Sequence, residues 1–447
     1  MKAPSLCHSL RSWARLLRAR AGRAGRAARA RNYRNSYRLG FTLVAVLTAC
    51  GPAGPRVDVV DVPSVAGARE TADPAIARDP ANGDWLLSWV AGDSSGYHLY
   101  FARSGDGGAS WSAPVRVTDR AHDIKPHAEA SARMVAVNGA IALFWPNNIE
   151  VPGRRFPASH MRFSRSTDGG RSWTSAITLN DDTASALAGH TFHGATARGD
   201  TMIVAWLDSR TGAQPAHGDT AVHHDGDATI YTAVSADRGV SWAAQNGVYW
   251  GNACPCCRVS LASAPDGRVL AAWRGHFEGS VRDPVVATLS PARGAPTRVR
   301  ADGWVFQGCP HTGPALAIDD TGSLHVAWFT GKEGGAGVFY ARTSGASSAF
   351  GTALPLLTAE SLPAAHPAIT MTRAGAVIAM NLDPNGRRAL TIATVREGTA
   401  TTHVVPNTEG ADHPHLIALP DGNALVAWTE KMAGAVRIRL ARVVAGE

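Results

Sequence analysis

The sequence predicts an all-β fold, a β-propeller of seven four-stranded blades. Three observations carry that expectation. A strand ending in an apolar-Ala-Trp type of triplet recurs seven times, at spacings of 48 to 67 residues. A turn of the pattern Ser-x-Asp-x-Gly-x-x-Trp occurs three times. No stretch of useful length carries the 3.6-residue apolar period of a helix. Self-similarity with a period of this size indicates a propeller or a solenoid, and four strands per repeat indicate blades.

The recurring strand is the second of each repeat. Its copies are Leu86-Leu-Ser-Trp89, Ala142-Leu-Phe-Trp145, Val204-Ala-Trp206, Leu270-Ala-Ala-Trp273, Val326-Ala-Trp328, Val377-Ile-Ala-Met380 and Leu425-Val-Ala-Trp428. Turn signals such as Asp266-Gly267 and Asp421-Gly422 stand just before it, where a hairpin from the first strand places its turn. The third strand alternates, as in residues 99–103, 161–164, 230–233, 338–341 and 436–440. The three turns follow it: Ser104-Gly-Asp106-Gly-Gly108-Ala-Ser-Trp111, Ser166-Thr-Asp168-Gly-Gly170-Arg-Ser-Trp173 and Ser235-Ala-Asp237-Arg-Gly239-Val-Ser-Trp242. In such a turn the short carboxylate accepts hydrogen bonds from backbone N–H groups, Gly takes a positive φ, and the Trp is expected to pack beneath. A fourth strand such as Pro114-Val-Arg-Val117 completes the blade. The seventh repeat has only three strands before Glu447, and Arg56-Val-Asp-Val-Val-Asp-Val62 is a spare strand at the other end. It is expected to complete the last blade and close the ring, which removes exposed edges. Six blades is the alternative if one segment is not a blade.

Residues 1–49 read as an export signal. Lys2 and ten arginines precede an apolar run at 39–49, with no acidic residue. The run is too short to span a bilayer comfortably and suits a signal peptide. It ends in Leu47-Thr-Ala-Cys50-Gly51, which resembles a bacterial lipobox with Cys50 as the lipidated residue. Residues 50–55 then form the lipidated cysteine and its tether, and 56–447 the propeller. Gly51 implies outer-membrane sorting if the host is Gram-negative, and the expected partner is the membrane, through the anchor. The signal also explains the charge. The whole chain is +8; without the signal it holds 33 basic and 36 acidic residues, a net −3. That gives no basis for nucleic-acid binding.

A four-stranded blade divides its connections between two faces. The first-to-second-strand turns and the Asp-bearing turns share one. The second-to-third-strand loops and the blade-to-blade links share the other, and there the metal-capable groups gather. The links carry His190, His193, Cys254, Cys256, Cys257, Cys309, His311, His366 and His413. The loops carry Asp208, Arg210, Arg274, Glu278, Arg282, Asp283 and the stretch from His217 to Asp225. Cys254-Pro-Cys256-Cys257 and Gly308-Cys309-Pro-His311 open adjacent blades, so their side chains can meet at the channel mouth. An exported cysteine set is read either as disulfides stapling blade to blade or as a thiolate and imidazole site for copper or zinc. Trp145, Tyr249, Trp250 and Trp304 near this face suit a stacking ligand such as a sugar, with core packing as the alternative for most of them.

The three Asp-bearing turns resemble the Asp-box (BNR) repeat of the sialidase superfamily. The block His190-Thr-Phe-His193, Asp208-Ser-Arg210, Cys254-Pro-Cys256-Cys257, Arg282-Asp283 and Gly308-Cys309-Pro310 is similar to a narrower group of exported bacterial sialidase-like proteins. The resemblance implies a glycan-directed protein: a divergent glycoside hydrolase of exo-α-sialidase type, or a carbohydrate-binding propeller. In that family arginines hold the substrate carboxylate, a Tyr paired with a Glu is the nucleophile, and an Asp is the acid/base. Here Arg210, Arg258, Arg274 and Arg282 are the available arginines, and Asp208, Glu278 and Asp283 the acids. The chain departs from the pattern twice. Asp73-Pro-Ala-Ile-Ala77 stands where the family has Arg-Ile-Pro, and the last tyrosine, Tyr340, comes too early for the nucleophile. Two other readings stand beside it: a metal-binding propeller, and a scaffold for protein contacts.

Overall fold

The repeats fold as seven antiparallel sheets of four strands each. This computed structural model describes residues 55–153, 157–183, 188–210, 228–345 and 349–444. The expected signal, Cys50 and the loop from His217 to Asp225 lie outside the described residues. In six sheets the strands follow one another in chain order. The first strands of blades 1 to 7 are Glu70–Arg78, Arg133–Val137, His190–Arg198, Ser260–Ser263, Ala315–Ile318, Ala368–Thr372 and Ala411–Ala418. Each packs against the first strands of both neighbours, and the seventh packs against the first. The blades therefore close into a ring around a channel. The only helical turns among the described residues are Ala128–Ala130 and Glu278–Ser280.

The ring closes through the N-terminal strand. Arg56–Val60 pairs antiparallel with Ala435–Val444, Arg56 opposite Val444 and Val60 opposite Leu440, as the outer strand of blade 7. The count is seven blades rather than six.

The core is not one mass. Seven hydrophobic clusters each lie between two neighbouring blades, the last between blades 7 and 1. The recurring second strands supply their largest members. Trp89, Trp145, Trp206, Trp328 and Trp428 are fully buried. Removing a buried Trp to Ala costs about 3–5 kcal/mol, so each blade is fixed by its own anchor.

The Asp boxes are built by the hydrogen bonds the pattern implies. In blade 2, Asp168 Oδ1 accepts from Ser166 Oγ at 2.7 Å and from the N–H groups of Arg171 and Ser172 at 2.9 and 3.0 Å. Ser104–Asp106 and Ser235–Asp237 repeat this at 2.8 and 2.7 Å. The tryptophans reach the preceding blade. Trp173 packs edge-on against Phe101, and Trp242 against Phe144 and Phe163. Trp111 donates to the Asp61 carbonyl beside the closing strand at 2.9 Å. Gly108, Gly170 and Gly239 hold φ near +80 to +90° where those neighbours press closest. A Cβ on Gly170 would stand 2.0 Å from Phe101 Cε1.

Candidate functional site

Four blade-to-blade connections and the first strands of blades 1, 3 and 7 bring residues to one end of the channel, and local backbone geometry aims them. The first strands of blades 1, 3 and 7 slip register between Ala72 and Ala75, Thr191 and Gly194, and Asp412 and His415. Inside these bulges Asp73, Phe192 and His413 adopt left-handed φ of 54°, 53° and 43°; His311, just before blade 5, has 50°. Bulges re-aim side chains and gather beside functional sites. Pro74 and Pro414 follow two of these residues and lack the N–H that a broken ladder no longer needs.

The centre of the mouth is Glu129, in the short turn between blades 1 and 2. It is 2 % exposed. Its Oε1 accepts from the backbone N–H of Gly313 at 2.5 Å and of Arg258 at 3.2 Å. Gly313 permits this, because a Cβ there would meet the Arg258 carbonyl at 2.2 Å. Oε2 has no hydrogen bond. It faces His366 Nδ1 at 3.5 Å, Arg258 Nη1 at 3.6 Å and His413 Nε2 at 3.7 Å. Burial pushes the Glu129 carboxyl up, but Arg258, His366 and His413 outweigh it and hold the group well below the usual carboxylate range. The His366 and His413 rings stack with centroids 3.6 Å apart. Burial, and then the neighbouring His366, bring His413 down to about 4. His413 Nδ1 lies 2.9 Å from Asp412 Oδ1, and Asp412 is held by Lys431 Nζ at 2.7 Å and Asn381 Nδ2 at 2.8 Å. Beside this group, the exposed His127 and His311 rings stand 6.4 Å apart, both against Phe192.

The cysteines converge next to it. No disulfide joins any of the four. Cys254 Sγ lies 3.3 Å from Cys257 Sγ and 3.8 Å from Cys256 Sγ. Cys256 also belongs to a second group with Cys309 and His311, whose ligand atoms lie within 4.8 Å of one another. The disulfide alternative is thus replaced by a thiol cluster shared around Cys256. Its ionisation is uneven. Hydrogen bonds from Cys256 and Cys257, with Arg282 and Arg274 nearby, pull the Cys254 thiol well below its ordinary value. Burial, then the thiolate at Cys254, pushes Cys257 well above it.

The ionisable groups expected near the second-to-third-strand loops sit elsewhere or are occupied. Arg274 is fully buried and gives its donors to the carbonyls of Thr312, Arg282 and Phe329 at 2.8–2.9 Å. Arg282 is equally buried; its Nε reaches the Phe306 carbonyl at 3.3 Å, while Nη1 and Nη2 have no partner. Asp283 accepts from Gly303 N–H and Arg298 at 3.0 and 3.1 Å. Asp208 accepts from Trp206 Nε1 at 2.9 Å and pairs with Arg210, which also binds Asp181. His190 lies 3.0 Å from Asp182 and 3.4 Å from Asp208 in the same polar cluster. His193 is buried against the Phe144 carbonyl at 3.0 Å. Glu278 is exposed. Trp145, Trp250 and Trp304 are core side chains rather than an open stacking platform. Glu129, Asp412 and Asn381 were not singled out by the sequence, where they carry no motif.

No family model matches the sequence, and no curated protein does. Solved structures share the fold. An ulvan lyase of polysaccharide lyase family PL25 aligns at 12% identity over 89% of this chain and 96% of its own, with a TM-score of 0.52. The polysaccharide lyase Uly1 aligns at 13% identity over 87% and 92%, also at 0.52. The intramolecular trans-sialidase of Ruminococcus gnavus aligns at 12% over 84% and 95%, at 0.42. The chain is therefore similar in fold to propellers that act on glycans.

Proposed function

We propose that the chain is a metal-binding propeller whose channel mouth holds zinc or copper(I) through Cys254, Cys256, Cys257 and Cys309, with His311 at the rim. One observation carries this reading: four cysteines gather around Cys256 without a disulfide among them. A tetrahedral site with metal–sulfur bonds of about 2.3 Å has sulfur–sulfur edges of about 3.8 Å, and the Cys254–Cys256 separation is 3.8 Å. A bond would need about 2.05 Å. Burial disfavours several thiolates side by side, so a set of ionised cysteines there requires a cation. Arg274 and Arg282 add positive charge without a carboxylate partner, which suits a site whose bound form is anionic. The test is elemental analysis and denatured thiol titration on protein purified without a histidine tag. At least one zinc or copper per chain is expected, and one equivalent is lost in Cys256→Ser/Cys257→Ser. Metal-free protein with no titratable thiols would overturn the reading.

A glycan-directed role is the second reading, supported by the fold shared with the two polysaccharide lyases and by the open mouth at His127 and His311. Binding or cleavage of anionic oligosaccharides, abolished by His311→Ala, tests it; no binding across a glycan panel would end it. We also propose lipid anchoring at Cys50. Metabolic labelling with a fatty acid, lost in Cys50→Ala, tests that.

A further inference from the structure

We propose that Glu129, His366 and His413 form a second cation site, separate from the thiolates and suited to a harder divalent ion. The thiol cluster offers sulfur; this group offers one carboxylate oxygen and two imidazole nitrogens. The three ligand atoms lie within 4.8 Å of one another, with Glu129 Oε2 at 3.5 Å from His366 Nδ1 and 3.7 Å from His413 Nε2. These separations are too long for hydrogen bonds. They are close to the ~3.3 Å edge of a tetrahedron with metal–ligand bonds of ~2.0–2.1 Å.

Unpartnered buried atoms point into the same space. Glu129 is 2 % and His366 6 % exposed, and neither Glu129 Oε2 nor His366 Nδ1 has a hydrogen-bond partner among the described residues. Buried polar atoms are rarely left so without cause. A simple ion pair does not account for the arrangement. Oε2 faces three nitrogens, none at hydrogen-bond distance. The His366 and His413 rings, stacked at 3.6 Å, would repel if both were protonated.

The surroundings match the way proteins orient metal-binding histidines. A ligating His usually gives its other ring N–H to a carboxylate. His413 Nδ1 lies 2.9 Å from Asp412 Oδ1, an ion-pair contact without hydrogen-bond geometry, and its Nε2 faces Glu129. Asn381 ties both sides together: its Oδ1 accepts the backbone N–H of His366 at 2.8 Å and its Nδ2 donates to Asp412 at 2.8 Å. Arg258 balances the Glu129 charge from 3.6 Å, so a bound divalent ion leaves the mouth positive and open to an anionic co-ligand. The donor set is that of imidazole and carboxylate, which suits zinc, manganese, iron(II) or cobalt(II).

Cobalt(II) titration of the chelator-stripped full chain separates the two sites, because thiolate ligation adds a near-ultraviolet charge-transfer band that oxygen and nitrogen ligation lacks. The variant Cys254→Ser/Cys256→Ser/Cys257→Ser/Cys309→Ser is expected to bind one cobalt with visible bands and no charge-transfer band. His413→Ala in that background is expected to abolish this binding. His413→Ala in the otherwise native chain should remove one cobalt and keep the charge-transfer band. Asp412→Asn, which touches no ligand atom directly, is expected to weaken cobalt binding roughly 10- to 100-fold. Thermal melts establish that each variant folds. A folded cysteine-free variant that binds no cobalt, or binds it as tightly after His413→Ala, would overturn the second site. Loss of the charge-transfer band alone bears only on the thiolate site.

Discussion

Arg282→Met separates the two states of the thiolate site, because it should act with opposite sign in each. Arg282 is fully buried, its Nη1 and Nη2 have no partner, and its one side-chain hydrogen bond is 3.3 Å long. A buried guanidinium in this condition is a liability in metal-free protein. Replacing buried charged groups by apolar residues of similar size is neutral or stabilising by about 1–4 kcal/mol, and Met also follows the stem. With metal bound, several thiolates carry negative charge beside the same guanidinium. A unit charge pair at an effective dielectric of about 20 is worth ~4 kcal/mol at 4 Å and ~2 kcal/mol at twice that distance. Losing it should weaken metal binding about 30- to 1,000-fold. The assay pairs denaturant melts of the chelated protein with a competitive chelator titration of the loaded protein. Arg282→Met should leave the metal-free protein at least as stable as the parent and lose affinity, while Arg282→Lys keeps most of it. A metal-free variant several kcal/mol less stable than the parent, with unchanged affinity, would refute the charge argument.

Deleting residues 56–62 removes the outer strand of blade 7 and with it Val57 and Val60, which pack on two interblade clusters; a large fall in the thermal midpoint is expected, and an unchanged melt would sink the closure. Gly170→Ala forces a side chain into left-handed backbone against Phe101. Strain of about 1–2 kcal/mol and overpacking of about 1–3 kcal/mol should sum in denaturant unfolding; a loss below about 1 kcal/mol would show that the turn relaxes. Burial, and then Arg133, depress His193 to about 3, so the folded protein keeps it neutral. The unfolded chain takes up this proton below about pH 6.5, so the contribution is complete above that pH and is lost as pH falls toward 3. His193→Gln keeps a donor for the Phe144 carbonyl and removes the titration. Its stability should fall less steeply than the parent's between pH 6.5 and 4, by a few kcal/mol at about 1.4 kcal/mol per pH unit; parallel curves would exclude the assignment.

The fold was legible because it is written many times. One position of the second strand is buried in all seven blades, by a Trp in six of them and by Met380 in blade 6. Repetition turns a weak local signal into a strong one. The chemistry of the mouth was legible only as residue types. Cysteines and histidines in the links announced themselves, since few other roles bring them together. Glu129 did not, because an acid between two alanines reads as solvated, and its burial depends on N–H groups from blades 4 and 5. The loop charges misled for a related reason. Arg274 and Arg282 look like an anion site in sequence, yet one saturates backbone carbonyls and the other lies buried beside the thiols. Whether a buried arginine faces a carbonyl or a substrate is decided by loops far away in the chain.

The strained residues at the mouth bear on which of these roles is structural. If bulges were needed to build a blade, every blade would have one. The first strands of blades 2, 4, 5 and 6 pair with their second strands in unbroken register. Among the described residues ten non-glycine residues have left-handed φ; four of them, Asp73, Phe192 and His413 in blades 1, 3 and 7 and His311 in the link to blade 5, gather at the mouth. Each non-glycine residue in left-handed backbone costs roughly 1–2 kcal/mol, so the four together cost about 4–8 kcal/mol, comparable to the whole stability of many domains. Such strain persists where the surroundings over-determine it, and a ring with seven separate interblade cores does so. What the four positions share is the space they face: one channel mouth, with Glu129, Arg258 and His366 brought in by the links between them. The packing of the blades does not require that convergence, whereas a site assembled from several first strands and links does.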